Sequence, residues 1–135
     1  MNKRVMRAAF AAVAVGGILM GTAGPAAAAY DKDGKLESGE FGFYYNSGRV
    51  GCIFDTSTDN NFADDRFKDP SNVNCAGEGQ TTNDNTASYW NRSVFVEYVW
   101  TDWYKEGIRG SLPVGYYGDA SDTFKNKISS CSITT

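Results

Sequence analysis

Histidine does not occur in this 135-residue chain, and its absence removes several chemistries at once. There is no Ser-His or Cys-His nucleophile pair, no His-bearing zinc site and no imidazole acid-base group. Long apolar runs are missing after residue 30, so nothing there has the length to cross a bilayer as a helix. No segment beyond that point holds a helical apolar period over three turns. Beyond residue 29 the ten basic residues are scattered singly, without the stripe and stacking aromatics of a nucleic-acid binder, which demotes that class, and no nucleic-acid partner is expected. Carboxylates are available at Glu78, Asp84, Glu97, Asp102 and Glu106, as a glycosidase would need in a pair, but acids on strands and turns are ordinary surface groups. The expectation is a protein that is not an enzyme.

What is present begins with a leader. Lys3, Arg4 and Arg7 precede an apolar run from Ala8 to Met20, and Ala27-Ala28-Ala29 closes it, the charged, hydrophobic and cleavable order of a secretory signal peptide. Residues 1–29 are therefore assigned to export, with a secreted, extracellular product starting near Tyr30 and no membrane association after processing. The leader takes three of the 13 basic residues and none of the 16 acidic ones, leaving 106 residues with a net charge of −6. That length makes one domain with an adequate core, expected to be a monomer. Cys52, Cys75 and Cys131 enter an oxidising space as an odd number. Pairing Cys52 with Cys75 keeps the bridge within one half of the repeat described next. Cys131 is then free or intermolecular and is expected to be open to alkylation.

The rest reads as all-β. Runs such as Phe41-Gly42-Phe43-Tyr44-Tyr45, Val50-Gly51-Cys52-Ile53-Phe54 and Val94 to Trp100 are rich in aromatic and β-branched residues and are separated by Asn, Asp, Ser, Thr and Gly. Residues Thr56 to Asn74, with Pro70, are the least strand-like. The pattern occurs twice. Phe41-Gly42-Phe43-Tyr44 aligns with Phe95-Val96-Glu97-Tyr98, and Asn83-Asp84-Asn85-Thr86-Ala87-Ser88 with Lys125-Asn126-Lys127-Ile128-Ser129-Ser130. Tyr44 followed after six residues by Gly51 suits a tight folded hairpin, the ring covering a glycine at a backbone angle closed to other residues. On this alignment Tyr98 reaches its glycine only at Gly107, two residues later. Two Greek keys follow, about 39–92 and 93–133 within a domain from 39 to 135, with 30–38 as a charged arm and Trp90 buried near the junction.

Duplicated Tyr-x6-Gly followed by (Asn/Asp)-(Asn/Asp)-x-x-(Ser/Thr)-Ser resembles the βγ-crystallin superfamily, which implies a sandwich of two Greek-key motifs. After a signal peptide, Asn83-Asp84-Asn85-Thr86-Ala87-Ser88-Tyr89-Trp90-Asn91-Arg92 also resembles the secreted actinobacterial peptidase inhibitors of the Streptomyces metalloproteinase inhibitor type. The second resemblance implies an inhibitor whose partner is a secreted metallopeptidase. The superfamily further implies calcium held by ligands exchanged between hairpins: Asp84 with Ser129, and Asn126 with position 87. Position 87 is alanine and the second hairpin begins with Lys125, so at most one weak calcium site, at Asp84 and Ser129, is expected. Otherwise Ser88 and Ser130 tie the hairpins through side-chain to backbone hydrogen bonds. The alternative function is a non-inhibitory effector of the killer-toxin-like kind or a weakly calcium-binding stress protein.

Three further features carry less. Asp31 to Glu40 has the acid spacing and central glycine of the latter part of an EF-hand loop, but its first ligand position falls on Ala29 and no flanking helices are expected. Trp100-Thr101-Asp102-Trp103-Tyr104 reads as core or as an aromatic patch for sugars or a protein. The Asn91-Arg92-Ser93 sequon is read as incidental.

Overall fold

The computed structural model describes residues 31–135, so the signal-peptide assignment lies outside the described residues. All its regular elements are strands and two single turns of 3-10 helix, at Phe62–Asp64 and Trp103–Lys105. No helix among the described residues is long and apolar enough to cross a membrane.

The strands are β1 (Phe41–Asn46), β2 (Val50–Thr56), β3 (Ser88–Asn91), β4 (Glu97–Trp100), β5 (Arg109–Leu112), β6 (Tyr117–Asp119) and β7 (Ser130–Ser132). They form two antiparallel sheets, ordered β2-β1-β3-β6 and β5-β4-β7. Asp59 extends the second sheet beyond β7, exchanging backbone hydrogen bonds of 3.0 and 2.8 Å with Cys131. Each half thus contributes a hairpin and a returning strand to one sheet and lends its third segment to the other. Two Greek keys interlocked in this way cannot separate into lobes without breaking both sheets.

The register corrects the alignment of the halves. Phe41 pairs with Thr56 in the first hairpin and Glu97 with Leu112 in the second, so Tyr44 corresponds to Trp100, Arg49 to Lys105 and Gly51 to Gly107. Tyr98 is not the counterpart of Tyr44; buried Trp100 is. The two hairpins are also equal in length. Sliding a strand by two residues preserves which side chains face the core, so the alternation could not expose the error. Gly51 and Gly107 have φ of 93° and 77°, where a side chain would be strained. The groups that crowd Gly51 are the Ala76 carbonyl and Tyr45 Cβ, not the ring of Tyr44.

Between the sheets lies an aromatic core. Phe43, Phe54 and Phe62 meet with centroids 5.1–5.9 Å apart, and Phe41, Tyr89, Val99, Leu112 and Ile128 complete the packing. The segment after Thr56 is irregular, yet it supplies Phe62 and Phe67, both buried. Trp90 departs from expectation: it is half-buried on the outer face of the first sheet, with the guanidinium groups of Arg49 and Arg92 4.9 and 5.1 Å from its ring. Alternation along β3 puts Tyr89, rather than Trp90, into the core.

The charged N-terminal segment is no free arm. Asp33 and Gly34 donate their backbone N–H groups to the Asp55 carboxylate, at 3.2 and 2.6 Å, and Leu36 covers Gly42 so closely that a Cβ there would lie 2.8 Å from it. Arg92 donates to the Leu36 carbonyl at 2.6 Å.

Candidate functional site

Three places concentrate polar groups or exposed apolar surface. The first is the pair of notches where each hairpin tip meets the polar turn of the other half. The Asp84 and Asn126 backbones adopt matching left-handed conformations, φ 57° and 55°. Asp84 N–H donates to the Ile128 carbonyl at 3.1 Å, and Asn126 N–H to the Thr86 carbonyl at 2.8 Å. Ser88 Oγ donates to the Asn46 carbonyl and accepts from Arg49 N–H, while Ser130 Oγ does the same with Asp102 and Lys105. These serines close the folded hairpins, a role that leaves little of their oxygen for a ligand.

The notches then diverge. One, of about 280 Å³, is lined by Asn83, Asp84, Thr101, Asp102, Trp103 and Ser129. It brings Asp84 and Ser129 together: Ser129 Oγ donates to Asp84 Oδ1 at 3.2 Å. Asn83 also donates to Asp84 at 2.9 Å and accepts from the Trp103 indole N–H at 2.7 Å, which fixes an indole that is half exposed. Carboxylate, amide and hydroxyl oxygens converge here, the donors a hard divalent cation takes, yet fewer than its usual six to eight. The other notch, of about 200 Å³, has Ala87 and Lys125 beside Asn126, hence no hydroxyl opposite the amide and a cation beside it.

The second place is acidic. Asp59, Asp64 and Asp65 lie within 4.8 Å of one another, but Lys32 Nζ pairs with Asp59 and with Asp65, the latter at 3.0 Å. Burial pushes Asp65 up to about 6, against the pull of Lys32. The EF-hand-like acids do not gather round a cavity: Asp33 accepts from Lys35 N–H, and Glu40, buried, accepts from Glu37 N–H at 2.8 Å. Burial raises Glu40 to about 7.

The third place is the apolar end of the domain, built on Asn91. This residue is fully buried, so its sequon cannot be reached in the folded state. Its amide donates to the carbonyls of Phe95, Leu112 and Pro113 at 2.9, 3.0 and 3.2 Å. Its side-chain oxygen accepts from Ser93 N–H and Ser93 Oγ at 3.0 and 2.8 Å, and its own N–H and C=O pair with Tyr116 and Gly115. One side chain so ties the linker between the keys to the β5–β6 loop. Outside that tie stand Val94, 77% exposed, Phe95, 53% exposed, and Val96, with Val114 and Tyr116 exposed on the β5–β6 loop, while Tyr117 lies beside Trp90 with the Arg49 guanidinium 4.3 Å from its ring. Neither 93–96 nor 113–117 carries a charge. The sequence pattern placed Val94 to Val96 in a strand with Glu97 to Trp100, whereas β4 begins at Glu97 and the three stand in the linker; an uncharged apolar run in a chain of net negative charge was the available signal of a surface there.

Two cysteines form the expected bridge, Cys52 to Cys75, with Cα atoms 5.1 Å apart. Cys131 is free but fully buried, contrary to the expected access to alkylation, because β7 turns it into the core beside Glu97. Burial, and then the neighbouring Glu97 carboxyl, hold its thiol well above the usual range.

No family model and no curated protein matches the chain. Its fold is similar to that of a solved structure described as "Evolution of the eye lens beta-gamma-crystallin domain fold", with a TM-score of 0.54 and 19% identity over 73% of this chain and 88% of that one. At that identity the likeness speaks for architecture alone: the chain has the βγ-crystallin domain fold.

Proposed function

We propose that this βγ-crystallin-like protein is secreted, non-catalytic and inhibitory, acting on an extracellular metallopeptidase. The observation that carries the reading is the apolar end, whose segments 93–96 and 113–117 contain no charged residue. Two loops welded through Asn91 present Val94, Phe95, Val114 and Tyr116 to solvent, and a surface already ordered before association pays little conformational entropy on binding. The similarity of Asn83 to Arg92 to a peptidase-inhibitor family supports the same reading, as does a disulfide suited to an oxidising space. Inhibition of thermolysin by residues 30–135, measured as an equilibrium constant, tests it. Nanomolar to micromolar inhibition is expected, and no effect at a hundredfold molar excess would refute it.

A second reading rests on the contact between Asp84 and Ser129. One weak calcium ion is held there with water completing the shell, and none is held at the Ala87 notch. If the protein is instead a non-inhibitory effector or stress protein, calcium should raise its unfolding temperature while thermolysin remains unaffected.

A further inference from the structure

The proposed inhibition leaves open which surface enters the peptidase, and a rigid loop closed by a disulfide is the obvious alternative. That loop is unsuited to the task. Val73 at its tip is well exposed, but it is flanked by Asn72 and Asn74 at φ 53° and 58°. Left-handed residues on both sides of an anchor prevent the extended backbone that an endopeptidase cleft pairs with. The linker between the keys has no left-handed residue, since among 91–103 none has a positive φ, although its backbone bends at Ser93 to Phe95.

Hydrogen bonding in the linker alternates. Phe95 N–H donates to Ser93 Oγ at 3.1 Å, and the Phe95 carbonyl accepts from Asn91 Nδ2 at 2.9 Å and Ser93 Oγ at 3.0 Å. The backbone groups of Val94 and Val96 on either side make no such bond among the described residues. One residue is therefore pinned to the domain within a bend at Ser93 to Phe95, while its neighbours keep donors and acceptors free for a second protein. The side chains in that stretch are apolar and uncharged, which fits a neutral hydrophobic pocket and gives an ionic one nothing to grip.

Resting on the inhibitory reading, we propose that Ser93 to Val96 is the segment that occupies the peptidase cleft. Phe95 anchors in a primary pocket that accepts an apolar side chain, the free backbone groups of Val94 and Val96 pair with the cleft, and Asn91 is the positioning residue that keeps the segment from relaxing into a substrate.

Thermolysin inhibition by four proteins decides this: the unaltered chain, Phe95→Ser, Val73→Ser and Asn91→Ala. Phe95 is half exposed, so its replacement should leave the unfolding temperature unchanged while weakening inhibition at least about thirtyfold, as expected of an anchor at an interface centre. Val73→Ser should inhibit as the unaltered chain does. Asn91→Ala should be cut by thermolysin within 92–97, detected by mass spectrometry at a temperature where circular dichroism shows it folded; a resistant, fully inhibitory Asn91→Ala would remove its positioning role. Inhibition by the unaltered chain that survives Phe95→Ser, or that is lost with Val73→Ser, would overturn the segment and leave the function standing. Absence of inhibition by the unaltered chain would overturn both. A monomer–dimer shift on Phe95→Ser in size-exclusion chromatography would assign the segment to self-association and overturn it as well.

Discussion

Glu97 occupies the position that Phe41 fills in the other half, fully buried, with no nitrogen or oxygen donor on either carboxyl oxygen among the described residues and only the Cys131 thiol beside it. Desolvation raises it to about 8 from an ordinary value of 4.5, so near neutrality it is a neutral acid in the folded protein and a carboxylate in the unfolded chain. Raising the folded-state value means that stability is greatest below about pH 4.5 and falls as pH rises toward about 8, where the folded form also ionises. Each unit in that window removes about 1.4 kcal/mol. Glu97→Gln keeps the shape and abolishes the titration. Between about pH 5 and pH 7.5 the unaltered protein should therefore lose about 3 kcal/mol relative to the variant, a large share of the stability of a domain this size. Glu40 and Asp65, raised to about 7 and about 6 chiefly by burial, add slopes of the same sign to both proteins and cancel in the difference. Urea unfolding of both proteins at several pH values reads the effect. A stability difference that stays constant from pH 5 to 7.5 would refute the assignment of a protonated Glu97 in the core.

Cys131 should resist a thiol reagent in the native protein and react at the rate of global unfolding; immediate labelling without loss of structure would contradict its burial on β7. Replacing Cys52 and Cys75 together by alanine opens a loop spanning 23 residues and should cost about 3 kcal/mol of stability, read by urea unfolding; an unchanged midpoint would contradict it. Calorimetry on chelator-stripped protein should find a single weak calcium site that disappears in Asp84→Ala. Two tight sites would mean that Ala87 and Lys125 disable nothing.

Strand identity was legible because aromatic and β-branched runs broken by Asn, Asp and Gly have few other ways to fold, and the polar turns 83–88 and 125–130 align without ambiguity. Their serines and the meeting of Asp84 with Ser129 followed from that alignment. The hairpins were harder. Phe95-Val96-Glu97-Tyr98 looks more like Phe41-Gly42-Phe43-Tyr44 than Glu97-Tyr98-Val99-Trp100 does, because it matches phenylalanine with phenylalanine and tyrosine with tyrosine, although either alignment sets Glu97 opposite a phenylalanine, Phe43 in the first and Phe41 in the observed register. The fold accepts that acid by keeping it protonated, and a rule that equates buried with apolar cannot foresee it.

The apolar end was illegible for a related reason. Asn91 reads in sequence as a turn former or a sequon, since nothing local reveals that its side chain will meet carbonyls at 95, 112 and 113. Those acceptors converge because the linker leaving β3 and the loop leaving β5 end at the same edge, a consequence of each Greek key placing a strand in the sheet of the other. The same interlock explains why the N-terminal segment packs down: Asp55, at the buried end of β2, needs donors, and the N–H groups of Asp33 and Gly34 are the ones that reach it. Long-range satisfaction of a few buried polar groups, more than the strand pattern, determines which loops of this domain are held rigid and which surface they hold out to solvent.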